Sequence, residues 1–158
     1  GEYNASFLPE GVRLLRGYRR RQGIVFRPDD GELLDCGDDE LAAKLRDPTR
    51  RMVNRNSGSG TRVLIDQLLG GHRPAGYLHQ AKTHHAVAAA VAQGRADWGV
   101  TIDTVATGAG LEFRFLQDEE FDFAIPEERW DKPAVVALRS LLDDPSALGD
   151  LRKLGFER

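Results

Sequence analysis

The chain has 158 residues, enough for one domain or two small lobes. Hydrophobic residues make up 41% and charged residues 30%, ordinary values for a globular protein, and 22 basic against 25 acidic side chains give a net charge of −3. That balance argues against non-specific nucleic-acid binding, and no apolar run approaches the roughly 20 residues that span a bilayer. Cys36 is the only cysteine, so no internal disulfide can form and a reducing, cytoplasmic location is expected. The opening residues do not read as a signal peptide. Asn4-Ala5-Ser6 is formally a glycosylation sequon, with nothing else pointing to secretion.

Residues 12–16 and 24–27 read as short strands around a basic link bounded by Gly17 and Gly23. Pro28-Asp29-Asp30-Gly31 is a turn. Asp38-Asp39-Glu40 precedes a short helix around Leu41–Leu45, with acid at its positive end. A strand at 51–54 leads through a glycine-rich bend into a helix at 61–69, stopped by Gly70-Gly71. Pro74–His79 is a turn into an extended piece. Thr83 is placed to cap a helix from His84 to Gln93, which Gly94 ends. Residues 96–100 are strand-like, and 102–107 fit a short helix capped by Thr101 or Asp103. Leu111–Leu116 and Phe121–Ile125 alternate apolar and polar residues, the period of half-buried strands. Two or three helices close the chain, with apolar stripes at Val135, Val136, Leu138, Leu141 and Leu142, and at Leu148, Leu151 and Leu154. Strands alternating with short helices give an α/β fold with a mainly parallel sheet and flanking helices. Ligands in such sheets bind beyond the carboxyl ends of the strands.

The run Asn54-Arg55-Asn56-Ser57-Gly58-Ser59-Gly60-Thr61-Arg62 lies at such an end. Gly58 and Gly60 let the backbone come close to a ligand, and Ser57, Ser59 and Thr61 offer hydroxyls. The first turn of the following helix carries unpaired N–H groups and partial positive charge, both favourable to an anion. Arg55 and Arg62 can add charge-assisted hydrogen bonds. The segment Arg55–Arg62 contains no Asp or Glu. It is neither a Walker A loop, having no lysine, nor a dinucleotide fingerprint. Such bends also serve as plain connectors.

Other clusters read less sharply. His72, His79, His84 and His85 fall in one window, but their spacing fits no metal-ligand motif, so no metal is expected. His84, beside Thr83 at a helix start, is placed to hydrogen-bond an anion. Arg13, Arg16, Arg19, Arg20 and Arg21 read as a solvated basic face. Asp97 reads as a carboxylate accepting backbone N–H bonds. Cys36 sits among acidic neighbours, which disfavour a thiolate. No acid–base pair or nucleophile elbow stands out.

Several segments together resemble one family. Gly1-Glu2-Tyr3-Asn4, Arg20–Val25, Val53–Arg62, Gly76-Tyr77, Thr83–Gly99, Gly110–Phe113 and Phe121–Pro126 follow in the order of the periplasmic-binding-protein-like domain of molybdopterin-biosynthesis (MoeA-type) proteins and molybdate-type regulators. The resemblance implies a two-lobed type II periplasmic-binding-protein fold with a small ligand between lobes. Mapped on this chain, residues 1–28 would be a remnant of lobe one and the first crossing. Residues 29–118 would be lobe two. Residues 119–158 would be the return crossing and C-terminal helices packing on lobe one. The family's βα units upstream of Gly1 would be missing, so the first lobe is expected to be incomplete, together with a second anion loop facing Ser59 and Thr61.

The expected function is a non-catalytic ligand-binding or sensing domain for a small oxyanion, with molybdate, tungstate or a molybdenum-cofactor-related ligand implied by the resemblance. Its expected ligand-binding residues are Arg55, Ser57, Gly58, Ser59, Gly60, Thr61, Arg62, Thr83 and His84, with no catalytic residue, metal or cofactor. The alternatives are part of a molybdenum-cofactor biosynthesis enzyme, or an interaction domain with a vestigial cleft. The expected partners are a small oxyanion or related small molecule, and a homodimer mate or a fused or associated upstream domain. No direct contact with nucleic acid or membrane is expected.

Overall fold

Alternation of apolar residues along three strands builds two cores, one on each face of a five-stranded sheet. The computed structural model describes residues 8–158; the Gly1–Asn4 segment and the Asn4 sequon lie outside the described residues. The elements are β1 (Val12–Phe26), α1 (Gly31–Asp35), α2 (Asp38–Arg46), β2 (Met52–Arg55), α3 (Gly60–Leu69), β3 (Gln80–Ala81), α4 (His84–Ala92), β4 (Trp98–Ile102), α5 (Asp103–Gly108), β5 (Glu112–Pro126), a 3₁₀ turn (Glu127–Arg129), α6 (Pro133–Asp143) and α7 (Pro145–Lys153). No helix among the described residues is long and apolar enough to cross a membrane.

The sheet order is β3-β2-β4-β1-β5. β2 pairs parallel with β3 (Asn54↔Gln80, Arg55↔Ala81) and with β4 (Met52↔Trp98, Val53↔Gly99). β1 joins antiparallel to β4, with Gln22 opposite Ile102 and Phe26 opposite Trp98. The α/β class and the parallel centre follow the sequence expectation. All five residues of β4 are buried, as a strand covered on both faces requires.

The chain divides into two compact units, Arg21–Gln117 and Gly1–Arg20 with Asp118–Arg158. In the larger unit, Ile24, Phe26, Met52, Trp98 and Val100 face one way and pack on Leu33, Leu41, Leu45, Ile65 and Leu69 of α1–α3. Val25 and Val53 face the other way and pack on Val87, Ala88, Ala90 and Val91 of α4 and Ala106 of α5. This is the period of two written into three dimensions. Each fully buried large aliphatic side chain contributes about 1.5–3 kcal/mol, so the Ile65 and Leu69 stripe fixes α3 against the sheet. Gly70, at φ 57°, ends α3 in the left-handed region and donates its N–H to the backbone carbonyls of Asp66 and Gln67.

In the smaller unit, Tyr18 stacks on Phe121 with ring centroids 5.3 Å apart and meets Phe156 edge-on at 4.8 Å. Arg19 and Glu157 exchange backbone hydrogen bonds of 2.6 and 2.8 Å. α6 and α7 each begin with proline, whose fixed φ and missing N–H suit a first helical turn.

Two strand expectations are corrected. Residues 17–23 are not a link, and β1 runs unbroken from Val12 to Phe26; β5 likewise joins the two expected strands. The glycines serve close approach rather than a turn. A Cβ on Gly17 would lie 2.3 Å from the Phe121 carbonyl oxygen, and one on Gly23 would lie 2.3 Å from that of Arg114. The expected cap of α5 also differs: Ile102 is the N-cap, without a side-chain bond.

Candidate functional site

β2, β3 and β4 run parallel, so their carboxyl ends, Arg55, Ala81 and Ile102, share one edge. α3, α4 and α5 start there. The glycine-rich bend leaves β2 and enters α3 within the larger unit. Asn56 donates its N–H to Ala81 O at 3.2 Å, and Ser57 donates to Gln80 Oε1 at 3.3 Å, which ties the bend to the β3 side. Gly58 takes φ 84°, a conformation costly for a residue with a Cβ. Ser59 is the N-cap of α3: its hydroxyl accepts from Arg62 N–H at 3.2 Å and donates to Asn56 O at 3.0 Å.

Ser57, Gly58 and Gly60 are exposed. Among the described residues, no acceptor engages the Ser57 hydroxyl or the Gly58 and Gly60 N–H groups. The bend therefore presents outward donors beside the positive end of a ten-residue helix.

Arg62 and Thr61 are placed differently. Arg62 is committed within the protein. Its Nε donates to both Asp66 oxygens at 2.9 Å, its Nη2 to Tyr77 Oη at 2.6 Å and its Nη1 to Arg55 O at 3.3 Å. Burial disfavours its charge, and the Asp66 carboxylate and Tyr77 hydroxyl together outweigh that, holding the guanidinium above its ordinary pKa. Arg62 also lies over the Tyr77 ring, 4.5 Å from its centroid. Thr61 is only 1% exposed, and its hydroxyl accepts from Gln22 Nε2 at 3.0 Å. Both residues build the bend from behind.

The α4 start stands alongside. Thr83 caps that helix by accepting from Ala86 N–H at 3.1 Å. Arg55, buried at 8% exposure, holds Nη1 3.2 Å from both ring nitrogens of His84, which places the guanidinium over the ring face. Thr101 donates its hydroxyl to His84 O at 3.3 Å. Arg55, Thr83 and His84 thus form one group at the same sheet edge as Ser57–Gly60. Asp66, the nearest carboxylate in sequence to the bend, is neutralised by Arg62.

The other clusters resolve into structure. Asp97 accepts Arg51 N–H at 2.7 Å, a backbone role. Among the described residues, no group of His, Cys, Asp and Glu is arranged to hold a metal. Arg19, Arg20 and Arg21 face Glu157, Glu119 and Asp103 respectively. Gln22 is the residue sequence reading missed. It follows Arg19-Arg20-Arg21 and precedes the apolar run Gly23-Ile24-Val25-Phe26, so it reads as the end of the basic stretch, and no local signal marks it as buried.

Known proteins resemble this chain in sequence and in fold. A family model described as a PBP superfamily domain matches residues 1–143. The uncharacterized protein YvgK of Bacillus subtilis (strain 168) is 28% identical over 168 residues, covering 99% of this chain and 52% of YvgK. The chain thus spans about half the length of this curated relative. Among solved structures, the ancestral amino acid-binding protein AncCDT-1, a precursor of cyclohexadienyl dehydratase, superposes with TM-score 0.63 at 15% identity, over 94% of this chain and 63% of that one. An ABC-type phosphate transport receptor from Vibrio cholerae does so with TM-score 0.63 at 12% identity, over 97% and 75%.

Proposed function

The chain belongs to the PBP superfamily, and from that premise we propose that it is a non-catalytic domain that binds a small oxyanion at the Ser57–Gly60 bend. The observation that carries the reading is the bend itself: exposed, free of acid, lined with hydrogen-bond donors, and set at the start of α3 on the carboxyl edge of parallel strands. A tetrahedral oxyanion offers mostly acceptors, so a surface rich in donors and free of carboxylates suits it. Ser57 Oγ and the N–H groups of Gly58 and Gly60 would hold it, with Arg55 and His84 supplying basic character nearby. Molybdate and tungstate are our leading ligands. The phosphate receptor among the neighbours makes phosphate the competing one.

Isothermal titration with molybdate, tungstate, sulfate and phosphate tests the reading. Heat with at least one, abolished by Gly60→Pro, supports it. Proline removes that N–H while suiting the first helical position. No heat with any of the four refutes it.

A further inference from the structure

We propose that the groove between α4 and the β2–β3 edge is a separate site for a small carboxylate with an apolar body, independent of the Ser57–Gly60 bend. Two features of the sequence open the groove. β3 covers β2 over only two residue pairs, and the side of α4 facing this edge carries nothing larger than the methyl groups of Ala86, Ala89 and Ala90. The resulting space is about 710 Å³, within the roughly 300–1,000 Å³ of small-molecule sites.

Its floor is apolar, with Val53, Ala81, Ala90 and Ala96 all buried. Its rim is basic: Arg51, His79 and Arg95 line it, and no carboxylate does. Arg51 gives Nη1 to Arg95 O at 3.4 Å, and neither guanidinium has a carboxylate partner among the described residues. Arg27, Arg50, Arg62 and Arg114 of the same unit each have one. Asp97, beside the groove, faces Arg27 at 3.5 Å and accepts the Arg51 backbone N–H. An aryl or short alkyl body removes the alanine floor from water, and its carboxylate meets the unpaired guanidinium groups. An inorganic oxyanion would gain nothing from the floor.

Amide ¹H–¹⁵N spectra of the 158-residue chain test this with three probes: 3-phenylpropanoate, the neutral 3-phenylpropan-1-ol and tungstate. 3-Phenylpropanoate should shift His79, Ala89 and Arg95 saturably, with Kd on the order of 1 mM. The alcohol should bind at least about tenfold more weakly, the cost of losing one charge-assisted contact. Ala89→Phe, at a partly exposed helix position, should fill the groove and abolish the shifts. Arg95→Gln, at an exposed position that leaves the fold intact, should weaken them about tenfold. Silence of the groove up to about 10 mM acid, equal response to acid and alcohol, or shifts confined to Ser57–Gly60 would overturn the proposal. Tungstate reads the bend through different amides, so failure of one site leaves the other measured.

Discussion

Gln22 and Thr61 stand 39 positions apart and meet through a 3.0 Å hydrogen bond, each only 1% exposed. Gln22 lies on β1, opposite the last residue of β4, and Thr61 lies in the first turn of α3. The bond fastens the start of α3 to the sheet edge that carries the candidate site. A buried amide without a partner is costly, so the pair acts as a tie whose loss is felt at both ends.

Replacing Gln22 with leucine leaves the Thr61 hydroxyl unpaired, and stability in urea titration should fall by about 1–3 kcal/mol. Adding Thr61→Val to that variant should recover part of the loss, since both polar groups are then gone. A fully additive double variant would show that the two side chains are not coupled.

Gly23→Ala and Gly17→Ala should each be severely destabilising, by more than about 2 kcal/mol, because the new methyl meets a backbone carbonyl that cannot retreat. Gly31→Ala and Gly37→Ala are the controls: a Cβ there meets nothing within 4 Å. Thermal melts of the four variants compare them directly, and similar losses in all four would remove the close-approach account of β1.

Ser59→Ala and Thr83→Ala each remove a helix N-cap and should cost about 1 kcal/mol apiece. The two differ in ligand response. Ser59→Ala also frees Asn56 O from the Ser59 hydroxyl, so it should loosen the bend and weaken anion binding, with Thr83→Ala affecting binding less. Urea titration and calorimetry on the same samples separate the effects.

Asp30 caps α1 and takes a bidentate contact from Arg50, with oxygens at 2.5 and 3.2 Å. Burial alone would raise its pKa; the Arg50 hydrogen bond and the Leu33 N–H outweigh that and hold the carboxyl below its ordinary value. A depressed folded-state pKa stabilises the protein above the unfolded value, about 3.9 for Asp, and that contribution disappears as pH falls through the folded value. Asp30→Asn keeps a capping oxygen, so its stability curve should differ from that of the parent at neutral pH and converge toward it below about pH 4. A constant difference across that range would contradict the linkage.

Much of the fold could be read from residue order. The buried run of β4, the Ser59 and Thr83 caps and the Gly70 stop are local signals, and local chemistry decides them. The continuous β1 could not be read that way. Gly17 and Gly23 look like breakers in one dimension, and only their neighbours on β5 show that they are there for space. Arg62 is similar. A guanidinium in a donor-rich bend suggests a ligand contact, but Asp66, one helical turn on, and Tyr77, beyond the helix, both claim it. Gln22 shows the opposite problem, since its partner is too distant in sequence to pair by pattern. The rim of the α4 groove, drawn from Arg51, His79 and Arg95, is likewise assembled by tertiary structure alone.

The most direct test of an anion grip at the bend is titration of the ¹⁵N-labelled chain with tungstate. The account expects saturable shifts of the Ser57, Gly58 and Gly60 amides, and much weaker shifts at Ser57 and Gly58 once Gly60 becomes proline. Unmoved bend amides at saturating tungstate, or an unchanged response in the proline variant, would contradict it.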